Sequence, residues 1–163
     1  MSMFERRDYR WRETFFIVFA PEKRPQAQRV VEALRGLSEH YTVENVQANE
    51  QGEIESLTLL APEDNAALDV SFASGPEIVE EQKNLIEEMQ PLVVDKQERR
   101  RLAKIAEWEA RFDVLHFEHV EADSAADEAL DETLDPGALL LAVDVLAELT
   151  GGVAIDPQSG TVM

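Results

Sequence analysis

The stretch EIESLTLLAPEDNAALDVSFA, residues 53–73, decides how this chain folds. Two apolar runs, 53–61 and 67–73, flank Pro62-Glu63-Asp64-Asn65, a set of residues suited to a tight turn. In the second run Leu68, Val70 and Phe72 point one way and Asp69 and Ser71 the other, the period of a strand with one buried face. So short a connection has no room for a crossover, so the two strands must lie antiparallel. Upstream, residues 41–48 (YTVENVQA) read as a third strand, joined through the turn signal Asn49-Glu50-Gln51-Gly52. The three form an antiparallel meander.

Other elements extend from this centre in both directions. Residues 14–20 (TFFIVFA) are apolar on both faces and predict a central strand, ended by Pro21. A helix over 25–38 places Val30, Val31, Leu34 and Leu37 on one face. Past the meander, Ser74-Gly75-Pro76-Glu77 opens a helix that Pro91 stops, with Ile78, Gln82, Leu85, Ile86 and Met89 inward. A second helix is expected over 96–112, with Leu102, Ile105, Trp108 and Phe112 on its stripe, then a strand over 113–120. A helix over 138–150 is bounded by Asp135-Pro136 and Gly151-Gly152. Residues 153–156 and 161–163 flank a turn and form a terminal hairpin. The order β-α-β-β-β-α-α-β-(α)-α-β-β predicts an α+β protein. It resembles a two-layer sandwich with a mainly antiparallel sheet, a ferredoxin-like core elaborated by extra helices and a C-terminal hairpin. One domain spans 1–163, with residues 1–12 as an N-terminal arm and 121–135 as an acidic loop or short helix.

Charge narrows the choice of partner. The chain has 163 residues, 15 Lys+Arg against 34 Asp+Glu, and a formal net charge of −19. Residues 121–163 contain ten acidic side chains, from Glu121 to Asp156, and no Lys or Arg. The bases cluster at Arg6, Arg7, Arg10 and Arg12 and at Arg99–Arg101. Such a balance disfavours nucleic acid and anionic membrane as partners. The Arg-aromatic stretch 6–12 is better matched to the protein's own acidic surface, or a second subunit's, through ion pairs. Absence of cysteine removes disulfides, Fe–S clusters and thiolate zinc sites. The run 15–20 is too short to span a bilayer, and Met1–Asp8 has no apolar segment behind it before Thr14. A cytoplasmic location is therefore expected.

Chemistry is sparsely signalled. The sequence holds no GxGxxG, Walker loop, GxSxG or HExxH. No catalytic residue is singled out, and no cofactor is expected. His116, Glu118 and His119 form the best metal candidate, an imidazole–carboxylate donor set suited to Zn²⁺. Strand alternation sends His119 away from the other two, so His116 and Glu118 are the pair able to share a site. The acidic tract 121–135 lacks the glycine and oxygen spacing of a calcium loop and reads as solvated surface.

Hydrophobic excess gives the leading expectation. The helix over 138–150 leaves a thin polar strip at Asp144 and Glu148. A helix so apolar is either enclosed between layers or buried against a partner. Leu141, Val145 and Leu149, with Phe16 and Val18 of the first strand, are the expected interface residues. The function expected is non-catalytic, acting by protein–protein interaction or self-association, with a homodimer as the most concrete form. The alternative is a small metal-dependent hydrolase using His116 or His119 with nearby carboxylates. A third reading is a regulatory domain holding a small ligand between helices and sheet.

Overall fold

The computed structural model describes residues 9–92, 95–119, 137–157 and 161–162. Its strands are β1 (Tyr9–Phe19), β2 (Thr42–Ala48), β3 (Ile54–Ala61), β4 (Ala66–Ser74), β5 (Ala110–His119), β6 (Val153–Asp156) and β7 (Thr161–Val162). Its helices are α1 (Ala27–Arg35), α2 (Pro76–Met89), α3 (Lys96–Ile105) and α4 (Gly137–Thr150). Among the described residues the strands form one seven-stranded sheet, ordered β2-β3-β4-β5-β1-β6-β7. Every neighbouring pair is antiparallel. The protein is thus α+β with an antiparallel sheet.

Alternation along β1 explains the layering. Phe15, Ile17 and Phe19 point to one face, where they pack with Val30 and Leu34 of α1 and Leu139, Val143 and Leu146 of α4. Val18 points to the other, beneath Ile86 and Met89 of α2 and Leu102 and Ile105 of α3. β6 follows the same logic: Val153 and Ile155 join the second cluster and Ala154 the first. Two strands apolar on both sides need cover on both sides. Helices therefore lie above and below the sheet, giving three layers where a two-layer sandwich was expected. The strand order also departs from a ferredoxin-like core. Three strands separate β1 from β2, where a split βαβ unit has a single one.

Local chemistry fixes the turns. Asn49 Oδ1 accepts the backbone N–H of Gln51 at 3.0 Å and of Glu53 at 2.9 Å, which folds β2 back onto β3. Asn65 follows the short 3₁₀ turn Pro62–Asp64 in the left-handed region, φ 54°, and leads into β4. At the end of α4, Gly151 adopts φ 64° and the Gly152 N–H donates to Ala147 O at 3.0 Å. The chain then turns so closely against β1 that a Cβ on Gly152 would lie 2.5 Å from Val18 O.

Two expected boundaries move. α3 ends at Ile105 and β5 begins at Ala110, so the helix expected over 96–112 is too long. Phe112 belongs to a strand, where Ala110, Phe112 and Val114 share a face. β5 is hydrogen-bonded on both sides, to β1 and to β4, and those two ladders outweigh a helical spacing. β1 begins at Tyr9, so residues 9–12 of the expected arm are strand, with a register shift between Trp11 and Glu13. Segment 121–135 lies outside the described residues.

Candidate functional site

Three places in the fold carry unusual chemistry. The first is a polar cluster between β1 and β5. The register sets Arg10 opposite Glu118 and Glu13 opposite His116. Arg10 Nε donates to Glu118 Oε1 at 2.8 Å, and Arg10 Nη2 contacts the same oxygen. The shift after Trp11 lets Arg12 approach as well, its Nη1 donating to that oxygen at 3.3 Å. Glu118 is 1 % exposed and so meets its charge partners largely out of water.

His116, two residues earlier on the same face, is also 1 % exposed. Its Nδ1 lies 3.9 Å from Glu13 Oε2, and neither ring nitrogen has a hydrogen-bond partner among the described residues. Burial lowers its pKa from 6.5 to about 4, helped by the Arg12 cation and opposed by Glu118. Burial, with Asp156 nearby, raises the Glu13 carboxyl, while Arg12 works against that rise. At neutral pH the imidazole is therefore uncharged.

His116 and Glu118 share a face, whereas His119 lies on the opposite one, edge-on to Tyr9 with ring centroids 5.1 Å apart. The uncharged His116 ring is in the form that binds metals. Glu118, however, is engaged by two guanidiniums. Among the described residues no group of three or more His, Asp or Glu converges as a donor set.

The second place is the outer side of α4. Ala138, Leu139, Ala142, Val143 and Leu146 are buried against the sheet. Val145 and Leu149 are half-buried at its margin, and Leu140 and Leu141 are 41 % and 44 % exposed. The remaining expected interface residues lie elsewhere. Phe16 faces the other helical layer, with the Arg111 guanidinium 4.3 Å from its ring centroid. Val18 is fully buried under α2 and α3 of its own chain and is no part of an open surface.

The third place was not foreseen. A cleft of about 390 Å³ opens on the sheet face that also bears α2 and α3, along β2 to β5. Asn45, Gln47, Ser56, Thr58, Asp69, Ser71 and Leu115 line it, with Leu57 and Val70 in its floor. In sequence these polar residues look like the ordinary wet side of a meander. The usable signal was their kind: short hydroxyls and amides where a chain with 30 % charged residues would supply Glu or Lys. Beside the cleft, burial raises the Asp113 carboxyl, while Arg111, donating from Nε at 2.7 Å, pulls it down.

No helix among the described residues is long and apolar enough to cross a membrane. The chain matches no protein-family model, no curated protein and no solved structure.

Proposed function

We propose that the protein is non-catalytic and acts by association, first with a second copy of itself, through the outer side of α4. The observation that supports this is the exposure of Leu140 and Leu141, neighbours on a helix whose inner face is already buried. A helix facing water normally turns polar side chains outward. Here Asp144 and Glu148 supply the polar strip, and Val145 and Leu149 widen the apolar one. A twofold contact needs a single self-complementary patch, so one helix face suffices for both partners. Cytoplasmic location belongs to the same proposal. So does the absence of a nucleic-acid partner, on the ground of the net charge of −19. The metal-dependent alternative has weaker support, since Glu118 is held by Arg10 and Arg12.

Sedimentation velocity from about 1 to 100 µM decides the matter. Two acidic copies repel, and added salt screens that repulsion. Dimer is therefore expected, tighter at 0.5 M than at 0.05 M NaCl, and lost in Leu140→Ser/Leu141→Ser with the circular dichroism unchanged. An 18.4 kDa species at every concentration and both salts overturns the proposal.

A further inference from the structure

We propose that the outer sides of α2 and α3 form a second contact between copies of this chain, in which α2 of each copy lies over α3 of the other. The two helices pack on one sheet face, where Ile86 and Met89 meet Leu102 and Ile105 in a single cluster. Their outer strips therefore point the same way, on the side of the sheet opposite α4.

Those strips carry opposite charge. Ile78, Gln82, Ile86 and Met89 form the buried line of α2, which leaves Glu80 and Glu87 at the centre of its exposed side. Five glutamates and one lysine give α2 a net charge of −4. On α3 Leu102 and Ile105 are buried, and Lys96, Arg100 and Lys104 run along the opposite side at intervals of four. Five Lys and Arg and one glutamate give α3 a net charge of +4, in a chain whose total is −19. Glu81 pairs with Arg111, whereas Glu80, Glu87, Lys96, Arg100 and Lys104 have no ion-pair partner among the described residues. Like charges four apart oppose helix formation, as does a cation in the first turn. No carboxylate of the described chain pairs with this basic strip to offset that cost, and carboxylates brought by a partner would.

Charge balance selects the occupant. An acidic partner is drawn to α3 and repelled by α2, and a basic partner the reverse. A patch bearing both signs side by side fits a copy of itself, because a twofold axis running between the helices sets acid over base twice. The net charge of −19 is spread over the molecule and is screened beyond about 8 Å at 0.15 M salt, whereas charges in contact lie well inside that length. Exposed pairs are individually weak, so a dissociation constant of about 1 mM is expected. This contact is thus separate from that of α4 in both place and strength.

The test uses the full chain, ¹⁵N-labelled and carrying Leu140→Ser/Leu141→Ser, so that its result does not depend on the α4 contact. Amide shifts are followed from about 0.1 to 2 mM protein at about 0.15 M NaCl. Shifts that grow with concentration are expected at residues 77–88 and 96–104 together. Arg100→Glu/Lys104→Glu turns the centre of the α3 strip acidic, and Glu80→Lys/Glu87→Lys turns the centre of the α2 strip basic. Each of these variants alone should self-associate about tenfold or more weakly, and an equimolar mixture of the two should recover the association, since acid again meets base in both halves. If a reversal unfolds the chain, Arg100→Gln/Lys104→Gln, which only removes charge, should still weaken self-association about threefold or more. Four results would overturn the proposal: no concentration-dependent shift at either helix, charge variants that associate as well as their parent, a mixture no stronger than its components, or shifts confined to one helix, which would mark a surface for a partner of a single charge sign.

Discussion

Arg10 and Glu118 stand directly opposite each other on β1 and β5, and the carboxylate is buried while the guanidinium side chain remains 44 % exposed. This inequality sets what each loss costs. Without Glu118, both arginines can turn toward water. Without the arginines, a buried carboxylate is left uncompensated, which is the expensive case. Glu118→Gln is expected to cost about 1 kcal/mol. Arg10→Ala/Arg12→Ala together are expected to cost about 3 kcal/mol. Urea denaturation at neutral pH measures both, and equal costs would contradict the burial of Glu118.

His116 makes stability depend on pH with a definite sign. Its folded-state pKa of about 4 lies below the 6.5 of an unfolded chain, so the unfolded chain binds more protons between those values. The penalty is absent well above 6.5, grows as pH falls and levels off below about 4. Glu13 and Asp113 are raised and act in the opposite sense, holding protons in the folded state that the unfolded chain releases. In His116→Phe the histidine contribution disappears, while that of the carboxyls stays. Between pH 7 and pH 5 the native protein should lose about 2 kcal/mol relative to the variant. Parallel pH profiles for the two proteins would refute the assignment.

The two glycines after α4 are not equivalent. Gly151 needs its left-handed backbone, and a Cβ there would meet nothing within 4 Å. Gly151→Ala should cost about 1 kcal/mol, or about 3 °C in Tm. A Cβ on Gly152 would lie 2.5 Å from Val18 O, 2.8 Å from Thr150 Oγ1 and 3.0 Å from Phe19 Cβ. The carbonyl belongs to the ladder between β1 and β6 and cannot withdraw cheaply. Gly152→Ala should therefore cost more than about 2 kcal/mol, readable as the larger fall in Tm by calorimetry.

With a net charge of −19 the folded chain repels itself. Raising NaCl from about 0.02 M to 0.5 M shortens the screening length severalfold. The urea midpoint should rise, even though salt also weakens the partly exposed Arg10 and Arg12 contacts. A midpoint that falls would mean that ion pairs outweigh the general repulsion.

Much of the fold was legible because single elements declared themselves. The alternation of Leu68, Val70 and Phe72, the two-faced run at 15–19 and the bounded helix ending at Gly151 each appear where periodicity placed them. What escaped depends on distant partners. Leu102, Ile105, Trp108 and Phe112 satisfy a helical spacing, and pairing with β1 and β4 is what claims Phe112 for a strand. His116 and Glu118 were placed on one face by alternation alone. Their neighbours Arg10, Arg12 and Glu13 come from about a hundred residues away, through a register that no local pattern encodes. Val18 looked available because the second helical layer was not anticipated. The cleft stayed hidden because polar strand residues look alike whether they face bulk water or a concavity.

The position of β1 bears on how the chain is made. It lies inside the sheet, yet β5 and β6, which flank it, follow in the chain only after β2, β3 and β4 and the helices α1 to α3. At about 5–20 residues per second, translation leaves this greasy ribbon bare for several seconds after it leaves the ribosome. The nascent polypeptide thus depends on whatever shields it during that interval, and expression should suffer first where chaperones are scarce.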